Sequence, residues 1–196
     1  MMRLKNKTHV IYHANIIIYY CFPDEGENRI IPYSKITNKL TELLFNQKST
    51  IIVPHFIIRE IEMKGFYDIV DDYFFEKERT LKLRLMRKIN KKYETLINNR
   101  KFTVEEYEPS EVLLNTINTA YANFKNLNNI DEYLSQKHTR DLNPSMEDKK
   151  LILFSKEKGC PVISNDLDLT FFNEELLNLN LVNEIIDLKT ISFIDT

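Results

Sequence analysis

Residues 145–172 read SMEDKKLILFSKEKGCPVISNDLDLTFF, a charged segment followed by a glycine and a short apolar run. Ser145 stands as a helix N-cap with Asp148 three positions on, the spacing of a capping box. A helix over 146–158 follows, and Gly159 sits where a left-handed C-cap belongs. Residues 161–164 (PVIS) are short, apolar and bounded by turn formers, which marks a buried strand. Asn165, Asp166 and Asp168 come directly after it. A helix feeding a wholly apolar strand that ends in acids is one unit of an α/β protein.

The same alternation recurs in the preceding and following sequence. Residues 8–12 (THVIY) predict a buried strand and 16–21 the start of a helix. A polar loop is expected over 23–32, holding Asp24, Glu25 and Gly26, and a helix over 33–46 on the spacing of Ile36, Leu40, Leu43 and Leu44. Residues 50–53 (TIIV) predict a second strand, stopped by Pro54, with a helix immediately after. The stretch 65–99 is charged and helical in composition, with Leu81, Leu83, Leu85, Met86 and Ile89 on its apolar side. Beyond it lie a strand over 102–107, a helix over 111–124, a polar segment over 126–144 and a further strand over 184–188. Short apolar strands alternating with helices predict an α/β fold with a mainly parallel sheet. The chain reads as a single domain over 1–196, with the helical stretch 64–101 as an insertion on a smaller core.

Composition narrows the function. Of 196 residues 43% are hydrophobic and 29% charged, an ordinary globular balance that excludes wholesale disorder. Only 3 glycines, and no G-x-x-x-x-G-K-[ST], exclude a P-loop or a dinucleotide fingerprint. Cys21 and Cys160 make neither a disulfide framework nor a zinc knuckle, so a reducing, cytoplasmic setting is expected. His9, His55 and His138 show no metal spacing. The longest apolar run, 16–22, falls far short of the roughly 18 residues of a membrane span. Tyr19, Tyr20, Phe74 and Phe75 read as core rather than as base-stacking platforms.

The net charge of −2 conceals an asymmetry. Ten basic residues fall between Lys77 and Lys101 against Glu78 and Glu94, while eleven acids follow position 140 against five lysines. One region suits a polyanion and the other a cation. Lys82, Arg84, Arg87, Lys88, Lys91 and Lys92 are the candidate RNA-binding residues; a solvated helix face is the alternative.

Ligands of parallel α/β folds gather at the carboxyl ends of strands, and four segments deliver polar groups there. His13 and Asn15 follow the first strand, Glu60 lies on the helix after the second, Asp148 opens the helix before PVIS, and Ser164, Asp166 and Asp168 close that strand. Each has a bland alternative. Glu60 is either paired near the apolar stripe or reaches water beside Arg59 or Lys64. Asp148 is a cap or a ligand, and Asp166 and Asp168 are turn formers or site acids. Carboxylates gathered at one point need a divalent cation, and an all-oxygen set suits Mg²⁺ or Mn²⁺.

The segments HVIYHANIIIYY, TIIVPHFIIREIE and SMEDKKLILFSKEKGCPVISNDLDLTFF, in that order, resemble the successive motifs of PIN-domain ribonucleases. The resemblance touches both ends of the chain and leaves 64–145 unmatched. It implies a three-layer α/β/α domain, Mg²⁺- or Mn²⁺-dependent endoribonuclease activity, and metal positions at Glu60, Asp148 and Asp166, with Asp168 as an additional acid and Asn15 in support. It also implies RNA as substrate, a homodimer and an antitoxin-like protein partner. The departure is His13, where the family carries its first aspartate. Imidazole is a poor Mg²⁺ ligand and brings no negative charge. Three readings follow: an RNA-binding or partner-binding module that no longer cuts, an active variant using a softer metal, or a change that silences a toxic nuclease. An unrelated phosphotransfer protein is disfavoured because no Asp-x-Asp follows the first strand.

Overall fold

The computed structural model describes residues 7–23, 30–74, 77–137 and 143–191. Five strands form one sheet: β1 (His9–Tyr12), β2 (Thr50–Pro54), β3 (Phe102–Glu105), β4 (Val162–Ser164) and β5 (Ile185–Asp187), in spatial order β3-β2-β1-β4-β5. Every pairing is parallel, with Val10 opposite Ile51, Ile11 opposite both Ile52 and Val162, and Ile163 opposite Ile186. The central strands are buried on both faces, which is why their sequences run apolar without alternation. Val10, Ile11, Tyr12, Ile51, Val53 and Ile163 are fully buried at the centre of the core.

Helices cover both faces in three α/β/α layers. In one group α1 (Ala14–Cys21) packs on α2 (Ile31–Asn46), α3 (His55–Lys64) and α5 (Arg79–Ile97), with α4 (Phe66–Phe74) against α3 and α5. In the other, α8 (Met146–Lys158) packs on α6 (Glu111–Phe124) and α9 (Leu167–Thr170). Helices α7 (Ile130–Lys137) and α10 (Asn173–Asn178) complete the described set. From β1 the sheet grows through β2 to β3 in one direction, and β4 and β5 lie on the other side. The order therefore reverses between β1 and β4, and the crevice at such a switch point opens at the carboxyl ends of the strands.

Several local expectations shift. The loop expected over 23–32 ends earlier, because Pro32 lies in the first turn of α2, where its missing N–H is an orphan in any case. Asp24, Glu25 and Gly26 lie outside the described residues, as do Phe75 and His138. The strand expected over 102–107 stops at Glu105 on the sheet edge, where Val104 is 40% exposed. The stretch 64–101 divides into α4 and α5, which carry the chain from β2 to β3, and α5 packs on α1. Tyr19 is buried, and Tyr20 and Phe74 are partly buried against the core. No helix among the described residues is long and apolar enough to cross a membrane.

Candidate metal centre

Strand β1 ends at Tyr12, so the next side chain, His13, emerges at the switch point. His13 occupies the N-cap position of α1 but makes no capping bond, which leaves its ring free to reach sideways. Nδ1 lies 2.9 Å from Ser164 Oγ on β4, and Nε2 lies 3.3 Å from Asp148 Oδ1 on α8. The ring is 5% exposed. Burial by itself pushes the imidazolium down; the bond to Asp148 and the charges of Asp148, Asp166 and Glu60 outweigh it, and the pKa lies above the ordinary 6.5.

Asp148 is both cap and site residue, one oxygen to each. Its Oδ2 accepts the backbone N–H of Ser145 at 3.1 Å and the Ser145 hydroxyl at 2.7 Å, while its own N–H donates to Ser145 Oγ at 3.0 Å. That closes the capping box and leaves Oδ1 to His13. Burial would raise this carboxyl; the bonds from His13 and Ser145 prevail and hold it below the ordinary 3.8.

Asp166 follows β4 as the N-cap of α9, its Oδ1 accepting the N–H of Asp168 at 2.8 Å. Burial, then the Asp148 charge, raise its pKa. Ser164 Oγ joins the pieces: it meets His13 Nδ1, accepts the N–H of Asp166 at 2.9 Å and is approached by Asn15 Nδ2 at 3.5 Å. Asn15 Oδ1 in turn accepts the N–H of Asn165 at 3.4 Å, and Asn165 Oδ1 is a buried acceptor without a partner among the described residues. His13, Asp148 and Asp166 each present a ligand atom within 4.8 Å of the others, so this group could hold a metal ion.

Glu60 and Asp168 stand apart from that group. Glu60 is exposed on α3, away from the buried stripe of Ile57, Ile58 and Ile61, and Lys64 pairs with Asp72 at 2.6 Å instead. Protein packed around its carboxyl raises its pKa all the same; His13 opposes the rise, and Asp148, Glu147 and Asp166 add to it, so Glu60 is within electrostatic reach of the centre but outside the group that meets within 4.8 Å. Asp168 has both oxygens engaged: Oδ1 accepts the Tyr133 hydroxyl at 2.7 Å and Oδ2 accepts Lys137 Nζ at 2.6 Å. Tyr133 and Lys137 were not among the residues expected from sequence; their four-residue spacing on one face of α7 is the signal that could have found them.

Two rival chemistries fail on burial. Ser164, His13 and Asp148 are connected in the order of a serine-hydrolase triad, but Ser164 is 0% exposed and no substrate reaches its hydroxyl. Burial pushes the Cys21 thiol up to about 12, which removes it as a nucleophile.

The basic candidates divide. Lys82 is buried and paired with Asp71 at 2.5 Å, and Lys92 donates to Asn38 Oδ1 at 2.6 Å with its ammonium over the Tyr20 ring. Both are tied into the structure. Arg84, Arg87, Lys88 and Lys91 are exposed, and their spacing of three and four residues puts them on one stripe of α5.

No family model matches the chain, and no curated protein or solved structure matches it either.

Proposed function

We propose that the protein is a metal-dependent endoribonuclease of the PIN type, with Mg²⁺ or Mn²⁺ the cations that the resemblance implies. The observation that supports this most is the meeting of His13, Asp148 and Asp166 within 4.8 Å at the switch point of a parallel sheet. A divalent cation there would supply activation of water and neutralisation of phosphate charge. In the hydrolysis the water gives up a proton as its oxygen bonds to phosphorus, the bond to the leaving ribose oxygen breaks, and that oxygen takes up a proton. Asp148 and Asp166 would hold the cation, Glu60 adds negative charge near it, and Ser164 with Asn15 fixes the β1 and β4 ends against each other. The Arg84, Arg87, Lys88 and Lys91 stripe draws in the RNA backbone.

Incubating the protein with single-stranded RNA and each cation in turn tests this. Cation-dependent cleavage that falls by roughly 100-fold or more in Asp166→Asn is the expected result. No cleavage by either wild type or His13→Asp, with any divalent cation, ends the reading.

One observation favours a second reading, a non-cutting RNA-binding or partner-binding module. His13 neutralises Asp148, and Lys137 neutralises Asp168, so two of the four acids are already paired within the chain. That module binds RNA with steep salt dependence and leaves it intact.

A further inference from the structure

The three side chains of the centre share a construction: each is tied down by one polar atom and turns another toward the centre, where His13 Nε2 and Asp148 Oδ1 meet each other and an entering cation displaces the proton between them. His13 is held at Nδ1 by Ser164 Oγ, which is itself fully buried and fixed by the N–H of Asp166. Asp148 is held at Oδ2 by Ser145, and Asp166 at Oδ1 by the N–H of Asp168. Outer bonds of this kind set the orientation of metal ligands, and a histidine ligand in particular anchors its second ring nitrogen. The 3.3 Å between His13 Nε2 and Asp148 Oδ1 is also the separation of two ligands that each stand about 2.0–2.2 Å from one ion.

We propose that this group binds one first-row transition cation, with His13 Nε2 as a ligand beside Asp148 Oδ1 and Asp166, and that it discriminates against Mg²⁺. The donor set carries the argument. Mg²⁺ asks for hard oxygen ligands in a near-ideal octahedron and sheds its water reluctantly, whereas Mn²⁺ through Zn²⁺ accept imidazole nitrogen beside carboxylate. Replacing a carboxylate by a neutral imidazole removes the electrostatic advantage that compensates Mg²⁺ for losing water. Two carboxylates and a neutral ring balance the charge of one dication, and the exposed Glu60 remains outside the group. The inference shares its site with the proposed nuclease and its premise that the centre holds a cation, but it does not depend on RNA being cut.

The test is direct binding to the intact chain. Mn²⁺, Zn²⁺ and Mg²⁺ are titrated by calorimetry, and bound Mn²⁺ is followed by electron spin-echo spectroscopy, which detects a coordinated ring nitrogen. Wild type is expected to take one Mn²⁺ per chain at least roughly tenfold more tightly than Mg²⁺, with nitrogen modulation in the echo. Ser164→Ala, which frees the ring without removing it, is expected to weaken Mn²⁺ on the order of 10- to 100-fold. His13→Asp loses the nitrogen signal and closes the gap between Mn²⁺ and Mg²⁺. Equal affinity of wild type for the two ions, bound Mn²⁺ without nitrogen coupling, or no Mn²⁺ or Zn²⁺ binding overturns the proposal. The wild-type spectrum decides even where a variant does not fold. Histidine-ligated Mn²⁺ with no RNA cleavage by wild type or His13→Asp supports this inference and removes the nuclease reading; cleavage in Mg²⁺ with no Mn²⁺ preference does the reverse.

Discussion

His13 and Asp148 hold each other's charge against the opposition of burial, and this pairing moves their pKa values in opposite directions. The folded His13 keeps its proton above the ordinary 6.5, so its contribution to stability is complete below that pH and is lost as pH rises through the folded value. For Asp148, lowered from 3.8, the contribution is present above 3.8 and lost as pH falls through the folded value. In metal-free protein the stability difference between wild type and His13→Gln is therefore expected to be largest below pH 6.5 and to close on the alkaline side, as read by thermal unfolding across pH. Asp166 behaves oppositely to Asp148: its raised pKa means that its ionised form costs stability at neutral pH. Asp166→Asn keeps a side-chain oxygen for the N-cap and removes the charge, so the metal-free protein should unfold at a higher temperature. Solvent screening limits the gain to about 1 kcal/mol. His13 and Asp166 were legible in the sequence because they follow the ends of β1 and β4, and Asp148 because it opens the helix that leads into β4. The division of Asp148 between two tasks was not, since a capping box and a ligand share the same spacing. Nor was the pairing of Asp168, whose Lys137 partner lies 31 positions away on another element.

In helix α8 sequence and structure agree from end to end, capping box at Ser145 and left-handed Gly159 included. Its two ends give separable effects. Ser145→Ala removes the N-cap and the hydroxyl on Asp148 together, and is expected to cost at least about 1 kcal/mol in denaturant unfolding. Gly159 has φ 62°, yet nothing stands within 4 Å of where a Cβ would be, so the cost of Gly159→Ala is one of backbone conformation alone. About 1 kcal/mol is expected there, with Gly159→Asn milder. The division of 65–99 into α4 and α5 was not legible. Phe-Glu-Lys-Glu at 75–78 contains no glycine or proline to announce a break. Tertiary contacts supply part of the reason: Tyr73 and Phe74 at the end of α4 lie against the Phe22 ring at centroid distances of 5.4 and 5.9 Å. Propensity within a segment carries no trace of a ring so far back along the chain.

Across the whole molecule, alternating apolar segments announced a parallel α/β sheet, whereas strand order depends on pairings that no local pattern encodes. The charge asymmetry survives folding in reduced form, as the stripe Arg84, Arg87, Lys88 and Lys91 on α5. Under the proposed function, reversing Arg87 and Lys88 to Glu is expected to weaken single-stranded RNA binding. The slope of log affinity against log salt should flatten by about 0.7 for each phosphate that the variant no longer neutralises, with Mn²⁺ binding unchanged. An unaltered slope would remove α5 from the RNA path. The junction of β1 with β4 has a consequence for synthesis. His13 and Ser164 touch although 151 positions separate them. At about 5–20 residues per second, a ribosome needs roughly 8–30 seconds to travel from one to the other. Asp148 arrives only near the end of that interval and Asp166 just after it, so a nascent polypeptide released before residue 148 owns one donor of the three and cannot close the centre.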